Sequence, residues 1–423
     1  MKARTGLLTL LLVLAILLAL AGSALAQVTI TFATRDVREP YADIVAAFNA
    51  SHPDIHVEFL PIFSDEYVTQ LLTMFAGGAG PDVFFVYEAD ILAWAHQGLL
   101  AKLDEFLEKD PELNFDAIYE PTWSAMTLNG SVYGISEYVN PNGLIWFNKT
   151  MFEEAGLESP ISLDRRGAWT MEAMRDYARK LSRITGDGSR ESWGLYIPNW
   201  WGPIYSFLMT NGFTFSDAAG NLSLNSEGNL RAVEYLRQWT VEDRSTNSYQ
   251  GIDEPVYLRE KRLGMAIAGG WYTWVIDLIA PIEVDVVPMP VGIDGGRAAM
   301  ISNPAIAMNP NTRHKDAAWT FMKYILVGEG AEIRARREGD LPSAKHLATL
   351  VEGSGPTWQE AMARSMEWAV PMPSELVLRP GSMELMLYGD QSLEAVWRGD
   401  ADAKPILDEI QRLASAIPLI TEQ

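Results

Sequence analysis

From residue 28 onward the apolar positions fall into two alternating periods. Residues 28–34 (VTITFAT) alternate as a strand does. Residues 40–49 put Ile44, Val45, Ala47 and Phe48 on one helical face, and 55–60 alternate again. Residues 64–76 carry a second helical set, Tyr67, Val68, Leu71, Leu72 and Phe75. Residues 82–87 (DVFFVY) are almost continuously apolar, as in a strand covered on both faces. This β-α-β-α-β opening predicts a largely parallel sheet with helices on both sides, an α/β fold.

The pattern continues in shorter units. Helices are expected over 91–96 and 103–109, mixed helix over 115–128, and helices over 170–184, 202–210, 228–241, from Tyr272 onward and over 313–327. Strands are expected over 193–197, 263–268, 284–287 and 299–308, a polar hairpin over 216–225, and a polar linker over 162–167. One stretch, SVYGISEYVNPNGLIWFNKTMFEEAGL (131–157), stands out. An extended run is broken by Asn140-Pro141-Asn142-Gly143, whose residue types suit a turn, and a short apolar strand then leads to Asn148 as a helix cap. Locally this is either a hairpin tip or a crossing between two lobes. The tail from Trp358 is helical, with breaks at Pro371-Met372-Pro373 and Pro380-Gly381.

The first 26 residues change where the chain is expected to work. Lys2 and Arg4 precede an apolar run, and Ala24-Leu25-Ala26 has the small-x-small form of a leader cleavage site. Residues 1–26 are therefore expected to be a cleaved signal peptide, with an uncleaved anchor as the alternative. Of 423 residues, 397 remain, more than one core usually serves, so two lobes are expected. There is no cysteine, which excludes disulfides, thiolate chemistry and the lipid-carrying cysteine of a lipoprotein; Gln27 stands at the mature start. A free periplasmic protein is expected. Loss of Lys2 and Arg4 takes the formal charge from −22 to −24, which disfavours nucleic acid and anionic membrane as partners.

Little in the chain points to catalysis. The five histidines include His52 and His56, but Pro53 separates them, and there is no HExxH, nucleophile elbow, Walker loop or dinucleotide fingerprint. No metal or cofactor is expected. The 55 carboxylates allow many acid pairs, and no spacing singles one out. Aromatic residues at strand ends are more telling. Tyr87-Glu88 follows the third strand, Trp200-Trp201 follows 193–197, and Trp271 follows 263–268 after two glycines. Each tryptophan alone is compatible with core packing. Together they lie where open α/β sheets bind ligands, and indole faces stack on sugar rings.

These residues also carry a resemblance. The chain resembles the extracellular solute-binding proteins of carbohydrate ABC importers, the group that includes the maltose-binding protein. Pro81-Asp82-Val83-Phe84 through Gly98-Leu99-Leu100 is similar to that family's "PDV…G-L-L" segment. Tyr133-Gly134-Ile135 through Phe147-Asn148-Lys149 is similar to its "YG-I-P…YN-K" segment, with Ser136 in place of the proline. Ala266 to Trp271 is similar to "M…G…W", Ile301 to Trp319 to the strand, "N…K…AAW" and helix, and the Gly339 to Ser343 turn to "G…L-P-S".

The resemblance implies a two-lobe periplasmic-binding-protein fold, with hinge crossings and a ligand cleft between the lobes. Lobe one would be 27–139 plus 302–335, and lobe two 140–301 plus 336–423. It favours the crossing over the hairpin for the 131–157 stretch. Carried over by position, the cleft contacts would be Arg35, Asp36, Tyr87, Glu88, Asn140, Trp200, Trp201, Gly270, Trp271 and Arg379. It implies a monomer that catalyses nothing, captures a sugar or oligosaccharide and hands it to the membrane permease subunits of an ABC importer. Alternatives are the same fold binding a glycerol phosphodiester, another polyol or a peptide; a secreted glycosidase; and an adhesion or scaffold protein.

Overall fold

The structure, a computed structural model, describes residues 27–35, 39–62, 66–110, 113, 115–247, 251–279, 282–337, 340–351 and 356–420. The expected signal peptide lies outside them. No described helix is long and apolar enough to cross a membrane.

Two large sheets organise the chain. The first has the strand order Ile55–Pro61, Val28–Thr34, Val83–Val86, Ala305–Met308, Ile135–Ser136. Its first three strands run parallel, and the last two are antiparallel to their neighbours. The opening β-α-β-α-β pattern produces this parallel part, because each strand returns through a helix laid on the sheet. Val83–Val86 is buried at all four positions, in keeping with its continuous apolarity. The helices Glu39–Ser51 and Lys315–Val327 close one face through Phe32, Phe48 and Phe321, whose rings meet edge to face at 5.1 Å.

The second sheet has the order Thr246–Asn247, Arg190–Tyr196, Leu263–Ala268, Leu144–Asn148, Val284–Pro288. Its helices begin where the sequence places caps. Asn148 accepts from the Met151 amide (3.1 Å), Thr170 from Ala173 (3.2 Å) and Ser226 from Asn229 (3.2 Å). The helix Met171–Leu181 lies directly on the strand Arg190–Tyr196, and Gly194 makes that approach possible. A Cβ there would fall 1.8 Å from the Ala178 carbonyl oxygen.

A third, four-stranded sheet joins the two bodies, with the order Leu341–Pro342, Tyr138–Pro141, Ala299–Ser302, Ala369–Val370. Tyr138–Pro141 is its centre, antiparallel to both Leu341–Pro342 and Ala299–Ser302. The stretch around Asn140-Pro141-Asn142-Gly143 is therefore a crossing strand, not a hairpin tip. Gly143 is there for proximity, not for a turn: its Cβ would meet the Ala299 Cβ at 2.8 Å, and its φ is not in the left-handed region.

Two segments differ from the sequence reading. Residues 162–167, expected as a polar linker, belong largely to the helix Pro160–Arg165. Its Asp164 is buried and neutralised by Arg297 (2.8 Å) and Arg364, distant residues that local polarity does not reveal. Residues 115–128 form a 3₁₀ turn, one helical turn and a two-residue strand instead of mixed helix. Beyond residue 336 the chain keeps contacts with residues that precede the first crossing. The Ser343 amide donates to Glu137 O (3.0 Å), Lys345 Nζ donates to Asp116 O (2.9 Å), and Leu347 is buried. The chain thus stays with the first body through the 3₁₀ segment Lys345–Leu350. It joins the second where the helix Pro356–Ser365 packs on Val284–Pro288.

Gly194→Ala tests the helix-on-strand contact. It should destabilise the protein by about 2 kcal/mol or prevent folding, because the obstructing group is a helix backbone that cannot rotate away. Urea denaturation of wild type and variant measures this.

Candidate functional site

The first and third strands are parallel neighbours, with Phe32 opposite Val83, so their carboxyl ends emerge side by side. Arg35 and Tyr87-Glu88 sit at these ends, where open sheets present ligand sites. The Arg35 guanidinium lies 5.0 Å from the Tyr87 ring and 5.1 Å from that of Phe85, in cation–π contact with two rings that themselves meet edge to face at 5.2 Å. Tyr67 supports them from beneath, its hydroxyl donating to Phe85 O at 2.8 Å. Burial raises the Tyr87 pKa, and the neighbouring Arg35 charge opposes that rise.

Glu88 is buried, and its Oε1 accepts from Ser302 Oγ at 2.9 Å. Ser302 belongs to the second crossing strand, so this bond ties the first-lobe wall to the hinge. Burial raises the Glu88 pKa, while the Ser302 hydrogen bond and Arg35 pull it down. Asp90, two residues on, is also buried. Burial, then Glu384 from the facing helix Ser382–Arg398, then Glu88 lift its pKa to about 7.

The second-lobe wall is built of indoles. Trp201 opens the helix Trp201–Thr210 and is buried, whereas Trp200 before it is half-buried. Their rings meet edge to face at 5.3 Å, and the Trp200 ring lies 6.5 Å from Trp271. Two glycines make room: a Cβ at Gly202 would strike the Trp200 ring (2.3 Å), and one at Gly269 would strike Asn140 Oδ1 (2.4 Å) and the Trp271 ring (2.7 Å). Trp271 Nε1 donates to Asn142 Oδ1 at 3.4 Å.

Beneath Trp201 lies Asp390, buried and facing the first amide of that helix. Burial and the nearby Glu394 lift its pKa to about 7. Glu394 itself accepts from Asn199 Nδ2 at 2.5 Å. Among the described residues no group of three histidine or acidic side chains is arranged to hold a metal.

The expected site residues thus fall into three sets. Arg35, Tyr87 and Glu88 are brought together on one wall, and Trp200, Trp201, Gly270 and Trp271 on the other. Asn140 lies at the hinge between them, but its side chain is turned into the protein: Oδ1 accepts from the Gly270 amide and Nδ2 donates to Asp340, both at 2.7 Å. Arg379 belongs elsewhere. It donates to Ala414 O (3.2 Å) and Ile417 O, capping the last helix, where a cation suits the exposed carbonyls. Asp36 lies outside the described residues. Sequence reasoning missed Asp90, Asn142, Ser302 and Glu384. Asp90 had a signal, an acid two positions beyond a strand-end glutamate, while Glu384 is one of many helix-surface acids.

Residues 34–332 match the family of bacterial extracellular solute-binding proteins, and the chain belongs to that family. Among curated relatives, a putative binding protein of Brucella abortus is 22% identical, the alignment covering 95% of this chain and 96% of the relative. An arabinooligosaccharide-binding protein of Halalkalibacterium halodurans is 20% identical over 71% of this chain and 67% of its own length. Among solved structures, an ABC substrate-binding protein of Listeria monocytogenes in complex with cycloalternan superposes with a TM-score of 0.80. It shares 22% identity and covers 92% of this chain and 98% of its own. The maltose/maltodextrin-binding domain of Bdellovibrio bacteriovorus, bound to maltotriose, gives 0.75 at 19% identity, with 92% and 99% coverage. The two-lobe fold is the one these proteins share.

The buried acids make stability depend on pH. Asp390 is raised in the folded state, so the native protein holds a proton that the unfolded chain releases near pH 4. Its contribution to stability is therefore fully present below about pH 4 and is lost as pH rises through about 7. Asp390→Asn should raise the melting temperature at pH 8 and leave it unchanged at pH 4, as read by differential scanning calorimetry.

Proposed function

We propose that this protein is a periplasmic receptor that captures a sugar or oligosaccharide between its lobes and delivers it to the permease of an ABC importer. The observation that carries this reading is the pairing of two unlike walls. Trp200 and Trp271 offer adjoining indole faces on one side, and Arg35, Tyr87, Glu88 and Asp90 offer polar groups at two strand ends on the other. A sugar ring has both surfaces such a cleft needs, an apolar C–H face and a rim of hydroxyls. The names of the oligosaccharide-binding relatives support the same class of ligand.

In this reading the protein is a monomer and catalyses nothing. Only the closed form lets both walls touch the ligand, so binding favours closure about the four-stranded hinge sheet. Residues 27–139 and 302–350 make up the first lobe, and 140–301 with the chain beyond 355 the second. A phosphodiester ligand has less support than the sequence alone gave it, because Arg35 is stacked on two rings and Arg379 caps a helix. A glycosidase reading would rest on the Glu88–Asp90 pair, and release of a chromophore from aryl glycosides would favour it.

The test is tryptophan fluorescence and thermal shift against mono- to tetrasaccharides, glycerol phosphodiesters and peptides. A saturable response to one saccharide class, without its consumption, is expected. A response to phosphodiesters or peptides alone would replace the substrate class. For the saccharide bound, Trp271→Ala should weaken binding by about 2 kcal/mol, the scale of a buried aromatic anchor. A calorimetric loss below about 0.5 kcal/mol would remove Trp271 from the site.

A further inference from the structure

Asn140 lies on the crossing strand Tyr138–Pro141, and Asn142 in the bend directly after it. Each reaches the segment that carries Trp271. Asn140 Oδ1 accepts from the Gly270 amide at 2.7 Å, and Asn142 Oδ1 accepts from the Trp271 indole N–H at 3.4 Å. Both asparagines are buried. Asn142 is itself held, its amide and its Nδ2 donating to Met300 O at 2.9 Å and 3.2 Å.

The chain of bonds continues into the first lobe. Asn140 Nδ2 donates to Asp340 Oδ1 at 2.7 Å, and Arg334 Nη2 contacts Asp340 Oδ2 at 3.0 Å. Arg334 Nη1 donates to Tyr41 Oη at 3.1 Å and lies 3.7 Å from Glu137, to which Tyr41 also donates. The Arg334 guanidinium stands 4.4 Å from the Tyr138 ring centre, on the strand that carries Asn140. Arg334 and Asp340 are each about 4% exposed, so the pair is desolvated and holds one geometry.

We propose that Asn140 and Asn142 are positioning residues for Trp271, and that Asp340 and Arg334 extend this hold into the first lobe. The role deepens the sugar-binding reading and rests on it for its consequence in affinity. The asparagines touch no ligand. They fix the direction in which the Trp271 face points and tie it to the strand about which the lobes move. A change at Asp340, on the far side of Asn140, is then transmitted by two consecutive hydrogen bonds to the Gly270 amide, the backbone next to Trp271.

Two measurements test this, one of them without ligand. The full chain is labelled with 5-fluorotryptophan, and the Trp271 resonance is assigned among the 14 indoles by its loss in Trp271→Phe. Asn140→Ala, Asn142→Ala and Asp340→Asn should each move or broaden that resonance. An unmoved Trp271 line in Asp340→Asn and Asn142→Ala would overturn the proposal, even if Asn140→Ala does not fold.

The second measurement is a double-mutant cycle, with maltotriose as probe or, if it does not bind, the panel saccharide that does. Asn140→Ala should weaken binding about tenfold in the wild-type background and add less than about twofold to Trp271→Ala, since residues acting through one contact are not additive. Full additivity would also overturn the proposal. If the resonance moves and no saccharide binds, the positioning stands and the sugar reading falls. If Trp271→Ala weakens binding while the resonance ignores the asparagines, the reverse holds.

Discussion

The Arg334–Asp340 ion pair is the contact on which the rest of the arrangement depends. Both groups are almost fully removed from water at the point where the lobes join. A buried guanidinium is tolerable only when its charge is met, and here Asp340, Glu137 and Tyr41 surround its two terminal nitrogens. Each partner comes from a different segment: Tyr41 from the first helix, Glu137 from the approach to the first crossing, and Asp340 from just before the strand Leu341–Pro342. Satisfying one charge therefore sets the relative position of several parts of the chain. The central crossing strand is flanked by two others, so its backbone is paired on both edges. A hinge of this kind bends by small changes along paired strands, with little freedom to sample unrelated orientations.

The two walls of the cleft are attached to this hinge in different ways. The first-lobe wall is fixed through Glu88 and Ser302, one hydrogen bond from the second crossing. The second-lobe wall is fixed through Asn140, Asn142 and the backbone at Gly269 and Gly270. Asn140 and Ser302 are themselves register partners. The shortest path between the two sets is thus a few residues long, with Glu88 and Asn140 buried and Ser302 half-buried. The acids near the cleft add an electrostatic element. Burial raises the Asp90 pKa first, and the negative charges of Glu384 and Glu88 add to that rise.

Much of the fold was legible because its cues are local. Period-two and helical patterns located most elements, and Asn148 marked a helix start that the structure keeps. The resemblance added the two-lobe arrangement. The reading failed where a distant partner decides the outcome. Residues 162–167 look like linker until Arg297 and Arg364 arrive to neutralise Asp164. Within the site, strand-end aromatics were readable because position along a strand predicts where a side chain emerges. Side-chain direction was not. Asn140 and Arg379 stand at plausible places in the sequence, yet both are turned toward the protein's own carbonyls, carboxylates and amides.

The Trp271 indole has one polar atom, and that atom already bonds to Asn142. What this side chain presents outward is then a flat hydrocarbon surface with no preference for the direction of a hydroxyl. A surface of this sort attracts pyranose rings as a class and reads neither epimer nor linkage. In the proposed sugar-binding reading, recognition of one ring over another would fall to the first-lobe residues Arg35, Tyr87, Glu88 and Asp90, where carboxylates, a phenol and a guanidinium have direction. Grip and discrimination would then be separated between the two halves of the molecule. Strand-end substitutions in the first half could redirect the protein to another saccharide while the stacking platform stays as it is.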